Sequence, residues 1–381
     1  MFLRGSGFLK VQSEEIDSLI NIDLENGIIQ CIPKFPLQDV HKLILITGNI
    51  KIHNFKAETV NGKVFSEEID GLILGKIYDD DVENKLYGRL LREFEFSQSY
   101  EPQEIIFRLK HSRLELEFEP SRDFKNKTEI HFQNCWIESD FEIKVEDYIS
   151  NIQADKSGHS ICYVNKSLNK KELDFFSSIF RTTYCLGQGR FPSFKEALTS
   201  EKLTLNVSNQ NLKNDTHKFI SSENLSILLN KIVALQKELP NKELTKFQNA
   251  LYYFENGLNS DVHLEICSIS LFNVFEIIDK SSTLNKNSLK KNLNFESLYD
   301  CSFLIDLRNE LIHNGLSLRE AIKKIEPNNK ENDKSNSELR NYFELRDYGK
   351  HVVIYQFMVD KISEHLIRQT GFDQNIQYYL K

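Results

Sequence analysis

The chain has 381 residues, 40% hydrophobic and 27% charged, with a formal net charge of −8. Such a length suggests two or three domains and such a composition can bury real cores, while the negative balance argues against a general nucleic-acid coat protein but does not exclude an RNA-processing enzyme with one local basic groove. The longest aliphatic run, Leu43-Ile44-Leu45-Ile46, is far short of the roughly 20 residues that span a bilayer, and Met1-Phe2-Leu3-Arg4-Gly5 lacks the pattern of a signal peptide, so a cytoplasmic protein with no membrane partner is expected.

Residues 1–165 read as strands. Leu114-Glu115-Leu116-Glu117-Phe118-Glu119 alternates strictly, and Phe107-Arg108-Leu109-Lys110 and Ile50-Lys51-Ile52 do the same. Alternation buries one face of a strand and wets the other. Turn signals fall between the runs at Thr47-Gly48-Asn49, Asn61-Gly62 and Glu119-Pro120. Short strands with frequent turns predict an antiparallel, sandwich-like domain, with a barrel as the alternative. The acidic run Asp79-Asp80-Asp81-Val82-Glu83 reads as a solvated turn rather than a cation site.

The pattern changes over residues 166–217. Lys171 to Phe180 has helical spacing and runs on to Cys185-Leu186-Gly187, where glycine can stop a helix. Gly187-Gln188-Gly189 has neither the third glycine nor the preceding strand of a dinucleotide fingerprint. The polar stretch Asn209 to Ser222 reads as a linker.

Residues 218–381 read as a bundle of five helices. Leu225, Leu228, Leu229, Ile232 and Leu235 share one face of the first, which ends at Pro240. Leu244, Phe247, Leu251 and Phe254 mark the second, closed by Asn256-Gly257. The third, Val262 to about Ile278 with Ser260 or Asp261 as cap, is apolar over most of its surface, as expected for the buried centre. The fourth carries Arg308-Asn309-Glu310-Leu311-Ile312-His313 and stops at Asn314-Gly315. Pro327 to Asn341 is polar and charged, and Tyr348 to Ile367 forms the last helix. The fold class is therefore α+β: an N-terminal β domain followed by an all-α one. The six cysteines are widely scattered without CxxC spacing, so buried reduced thiols are expected, with no metal and no cofactor.

The fourth helix carries the chemistry. At 100° per residue, Phe303, Leu304, Leu307 and Leu311 face the core, while Asn309 and His313 share the opposite face. Arg308 lies at the edge of the apolar sector, about 140° from His313. The two are not neighbours along the helix, but a long arginine can lean across and a phosphate can bridge them. Arginine grips phosphate with a fixed fork of donors, and histidine suits proton transfer near neutral pH.

Arg308-Asn309-x-x-x-His313 resembles the R-[polar]-x₃-H motif of HEPN domains. Ala250 to Leu258 and Ser270 to Ile278 are similar to the paired helices that precede that motif in Apea-like HEPN proteins. The resemblance covers about residues 220–370. A strand-rich N-terminal half followed by a helical connection also resembles ApeA-type abortive-infection proteins. The resemblance implies a metal-independent endoribonuclease, dimeric through the helical domain, acting as a toxin or in anti-phage defence. It implies Arg308, Asn309 and His313 as catalytic residues and Glu276 as a supporting acid. It also implies a phage-derived trigger protein as a partner of the N-terminal domain. Arg308 is the natural partner for Glu276, with a lysine at the bundle edge as the alternative. Lys286, Lys290 and Lys291 precede the motif and are candidates to line an RNA path, or else belong to a solvated face. The alternative class is a non-catalytic dimeric HEPN protein that binds RNA or a nucleotide; retention of both Arg308 and His313 favours catalysis.

Overall fold

The computed structural model describes residues 2–11, 14–23, 27–34, 49–73, 105–110, 113–137, 139–145, 148–153, 158–206, 220–259, 263–279, 284–325, 337–345 and 349–372. The aliphatic run at 43–46, the acidic run at 79–83, the linker at 209–219, the caps at 260 and 261 and most of 327–341 lie outside them. Strands dominate the first part and helices the last, as the α+β reading expects, with two strands following the first helix. Two compact units divide the chain.

The first unit comprises Met1–Phe132, Ile161–Lys170 and Phe194–Asn209. Its strands are β1 (Phe2–Val11), β2 (Glu14–Asp23), β3 (Ile28–Pro33), β4 (Asn49–Thr59), β5 (Gly62–Ile73), β6 (Ile105–Leu109), β7 (Arg113–Pro120) and β8 (Thr128–Gln133). The three runs read as strands from alternation fall in β7, β6 and β4. Within this unit the hydrogen-bonded order is β4-β1-β2-β3-β6-β5-β7, and β4 also pairs with β5. The ladder of the first six strands therefore returns to its start and forms a closed antiparallel ring. The sandwich expectation is corrected to a barrel: short alternating strands suit both, and only the β4–β5 pairing decides. Leu9, Ile20, Ile22, Ile29, Phe55 and Val64 are fully buried inside it, each contributing about 1.5–3 kcal/mol of apolar burial.

The β4–β5 turn occupies Val60 and Asn61, one residue before the expected Asn61-Gly62, because Thr59 pairs with Gly62. Gly62 belongs to the strand; a Cβ there would sit 2.2 Å from the Glu119 carbonyl oxygen. A bulge interrupts β4 against β1. Ser6 stands opposite Lys56 but Phe8 opposite His53, and Asn54 takes a φ of 51°. The extra residue lets Ile52 and Phe55 both point inward and turns Lys56 and Glu58 outward.

The second unit comprises Gln133–Ser160, Lys171–Ser193 and Gln210–Lys381. It holds the hairpin β9 (Phe141–Val145) and β10 (Tyr148–Gln153). Residues 133–160 thus group with the helices, which a cut near 165 did not anticipate. Helix α1 (Lys170–Gln188) runs past Gly187 and stops at Gly189, with φ 61°. Gly187 has a packing role, since a Cβ would lie 2.5 Å from Leu225 Cδ2. Strand β11 (His159–Val164) precedes α1, and β12 (Ser193–Leu198) and β13 (Lys202–Asn206) follow it. These last two correct the reading of 166–217 as only helix and linker: β13 pairs antiparallel with β7, so residues 194–206 belong to the sheet.

Helices α2 (Ser222–Glu238), α3 (Asn241–Gly257), α4 (Leu264–Asp279), α6 (Leu298–Asn314) and α9 (Lys350–Gln369) match the five expected. Three short helices were not anticipated: α5 (Lys286–Leu293), α7 (Leu318–Ile325) and α8 (Glu338–Leu345). Helix α8 begins inside the segment read as merely polar. Ser337 donates to the Asp300 carboxylate and the Glu338 amide also donates to it, at 2.5 and 2.9 Å. Leu271, Phe272, Val274 and Phe275 of α4 are fully buried, as expected of the central helix. No helix among the described residues is long and apolar enough to cross a membrane.

Candidate active site

Helix α6 sets the site. The Ser297 hydroxyl accepts the Tyr299 amide at 3.0 Å to start it, and Gly315 ends it in the left-handed region at φ 63°. Phe303, Leu304, Leu307 and Leu311 are all buried, as helical phase requires. That inward stripe fixes the rotation of the helix, leaving Arg308 and Asn309 half-buried and His313 exposed.

The arginine reaches both ways from the flank. Its Nε and Nη2 donate to Glu276 Oε1 of α4 at 3.0 and 2.5 Å. Its Nη1 donates to Asn309 Oδ1 at 3.1 Å and approaches His313 Nε2 at 2.9 Å. Helical phase left Arg308 and His313 apart; the length of the arginine closes that gap without a bridging phosphate. The pairing of Glu276 is with Arg308, not with a lysine.

This geometry specifies the imidazole. A guanidinium has donors only, so the contact with Nη1 requires a lone pair on Nε2. Nε2 then stands as the acceptor of this contact, turned toward the guanidinium. Glu276 occupies one edge of the guanidinium and leaves Nη1 aimed at Asn309 and His313. The Arg308 and Glu276 side chains are 17% and 27% exposed, enough shelter to orient them and enough access for a ligand.

A second polar group at the helix end was not anticipated. Glu310 accepts from Asn314 Nδ2 and from Lys324 Nζ of α7, each at 2.7 Å. Hydrogen bonding to Lys324, then to Asn314, holds the Glu310 carboxyl below its usual range. The spacing of Glu310 and Asn314 was legible as an i,i+4 pair; Lys324 was not, because the turn at 315–317 brings it back. The bonds fix the turn beyond His313.

The candidate RNA-path lysines lie on α5, which the Asn285 side chain caps by accepting from the amides of Asn287 and Ser288. Lys286 and Lys291 are exposed. Lys290 donates to the Glu296 carbonyl at 2.7 Å. Its ammonium thus anchors the loop after α5 rather than the Arg308 cluster. Among the described residues no group of three or more His, Cys, Asp or Glu is arranged to hold a metal.

No family model, no curated protein and no solved structure matches the chain. The chemistry of the site therefore rests on its own geometry: an imidazole whose Nε2 meets a guanidinium clamped along its other edge.

Proposed function

We propose that the protein is a metal-independent endoribonuclease of HEPN type, with Arg308, Asn309 and His313 as its catalytic residues. The observation that carries the reading is the clamped guanidinium: Glu276 holds one edge of Arg308 while Nη1 meets His313 Nε2. RNA supplies its own nucleophile, the 2′-hydroxyl. When a phosphate oxygen takes over Nη1, Nε2 is released and can accept the 2′-hydroxyl proton, a role worth about 10²–10⁴ in rate. The 2′-oxygen then bonds to phosphorus, the bond to the 5′-oxygen breaks, and a second imidazole protonates that leaving oxygen. Arg308 stabilises the developing charge, and Asn309 orients its Nη1.

A homodimer through the helical unit supplies the second imidazole. Ile266 and Ile312 support that arrangement, being 52% and 37% exposed on the two helices that carry Glu276 and Arg308. In this proposal the enzyme is a cytoplasmic toxin or abortive-infection effector, Lys286 and Lys291 flank its RNA, and a phage-derived trigger protein acts through the β unit.

The test is cleavage of single-stranded RNA with EDTA present. The expected products carry a 2′,3′-cyclic phosphate and a 5′-hydroxyl, and His313→Ala and Arg308→Ala remove them. Full activity in the double variant overturns the assignment. RNA binding with no cleavage by the wild-type chain favours a non-catalytic binding protein instead.

A further inference from the structure

The outer face of the first unit carries a groove whose residues lie apart in sequence from Arg308. Ser6 of β1 stands opposite Leu19 of β2 and opposite Lys56 of β4, and Lys56 stands opposite Phe65 of β5. These four side chains form one row across four strands. Two residues along each strand lies a second row, Arg4, Glu58 and Lys63, in which Glu58 faces Lys63. Both rows line one open groove of about 640 Å³, within the range of small-molecule sites.

Three features set this groove apart from an ordinary wet sheet face. First, Arg4, Lys56 and Lys63 make no hydrogen bond or ion pair among the described residues, unlike Lys51, which pairs with Glu68 at 2.5 Å further along the same strand. Three cations with no partner among the described residues, gathered in one groove of a chain with net charge −8, concentrate positive charge there. Second, Leu19 is 49% exposed, so an aliphatic wall is left open beside them. Third, the bulge at Asn54 turns Lys56 and Glu58 outward. Gly5 makes this possible, since a Cβ there would lie 2.1 Å from the Lys56 carbonyl oxygen.

We propose that this groove binds a nucleoside phosphate. The phosphates lie on Arg4, Lys56 and Lys63, which supply charge-assisted donors. Glu58 is the discriminating residue. A carboxylate among cations opposes a bare phosphate but accepts hydrogen bonds from the hydroxyls of a ribose, so Glu58 selects a ligand with a sugar. The base packs on the ring of Phe65 at one end of the row, and Leu19 leaves a further apolar surface at the other. An extended RNA strand fits less well, because successive bases need successive aromatic platforms and among the described residues Phe65 alone lines the groove as a ring. An acidic peptide satisfies the cations but leaves Glu58 facing like charge.

The test is calorimetric titration of the full chain with ATP, AMP, inorganic phosphate, an acidic hexapeptide and a six-nucleotide DNA single strand, which lacks the 2′-hydroxyl that self-cleavage requires. ATP is expected to bind in the micromolar to low-millimolar range, and AMP more weakly. Lys63→Glu and Arg4→Glu, both exposed and safe for folding, are each expected to lower ATP affinity about tenfold or more. Glu58→Gln is expected to weaken ATP while strengthening inorganic phosphate, a split that loss of folding cannot mimic. Three outcomes overturn the proposal: no ATP binding at 5 mM or so, well above ordinary metabolite affinities; ATP binding untouched by Lys63→Glu and Arg4→Glu; or tighter binding of the peptide or the DNA than of ATP. Each stands whatever becomes of the nuclease reading, because no variant touches helix α6.

Discussion

Among the described residues, two arginine–glutamate pairs cross between helices of the second unit, and they are built for different ends. Arg181 of α1 donates through Nε to Glu255 Oε2 of α3 at 2.9 Å, and the Thr182 hydroxyl donates to Oε1. Both carboxylate oxygens are satisfied, and Glu255 is only 12% exposed. Arg308 instead spends two donors on one oxygen of Glu276 and directs a third at a histidine on its own helix. The first pair satisfies the Glu255 carboxylate and aims no guanidinium donor at a second functional side chain among the described residues. The second leaves a directed donor at the surface. An ion pair between helices thus becomes a candidate for catalysis through what its remaining donors face, not through its burial.

Substitutions can break that contrast, and His313→Ala is expected to act most strongly. It should cut RNA cleavage about 10²–10⁴-fold and leave the melting temperature nearly unchanged, because the ring is exposed. Single-turnover cleavage and calorimetry on the same preparation check both halves. Glu276→Gln comes next. It keeps the shape but removes the charge that clamps Arg308, with an expected loss of about 10–100-fold in kcat, as for other orienting partners. A fall in stability without a fall in kcat would make the two pairs alike.

Glu255→Ala should show the reverse profile. It strips Arg181 and Thr182 of their acceptor and is expected to cost about 2 kcal/mol of stability, discounted for the exposure of Arg181. Urea unfolding measures it, and activity should survive below the transition.

Asp300 offers a pH handle on the same unit. Burial raises its carboxyl to about 6 from 3.8, and the hydrogen bonds from Ser337 and Glu338 only partly oppose that. A raised folded value means that the native state binds the proton more tightly. The stabilising contribution is therefore complete below 3.8 and is lost as pH rises through about 6. The expected loss is on the order of 3 kcal/mol, and Asp300→Asn should flatten stability over that window. The smallest effect belongs to Lys291→Ala, expected to reduce the salt slope of RNA binding by about 0.7 if this exposed lysine meets a phosphate.

Much of this was legible in the chain, for identifiable reasons. The strict alternation of Leu114 to Glu119 and the helical stripe through Phe303, Leu304, Leu307 and Leu311 are local signals, and the elements formed as those periods require. What failed was non-local. Closure of the sheet depends on β4 meeting β5 while β1 meets β4, and no local pattern separates that from a sandwich. Residues 193–206 form strands because β7 offers them an edge, and α8 starts where a buried aspartate supplies its cap. At the site, phase correctly separated Arg308 from His313 in angle but said nothing of reach. The bond between them is set by side-chain length and by a carboxylate on another helix, 32 positions away in sequence. The groove on β1, β4 and β5 was not anticipated, because its residues become neighbours only through the bulged register.

The cysteines have a practical consequence. All six are free and buried. Cys31 and Cys162 lie in the first unit, and Cys135, Cys185, Cys267 and Cys301 in the second. A thiol sealed in a packed interior reacts with an alkylating reagent only when its surroundings open. The chain therefore carries built-in clocks in each half. Mass spectrometry of pulse-alkylated protein would time the opening of the barrel and of the helices separately, without engineered probes. Adding ATP should slow the clock at Cys31, and RNA the one at Cys301.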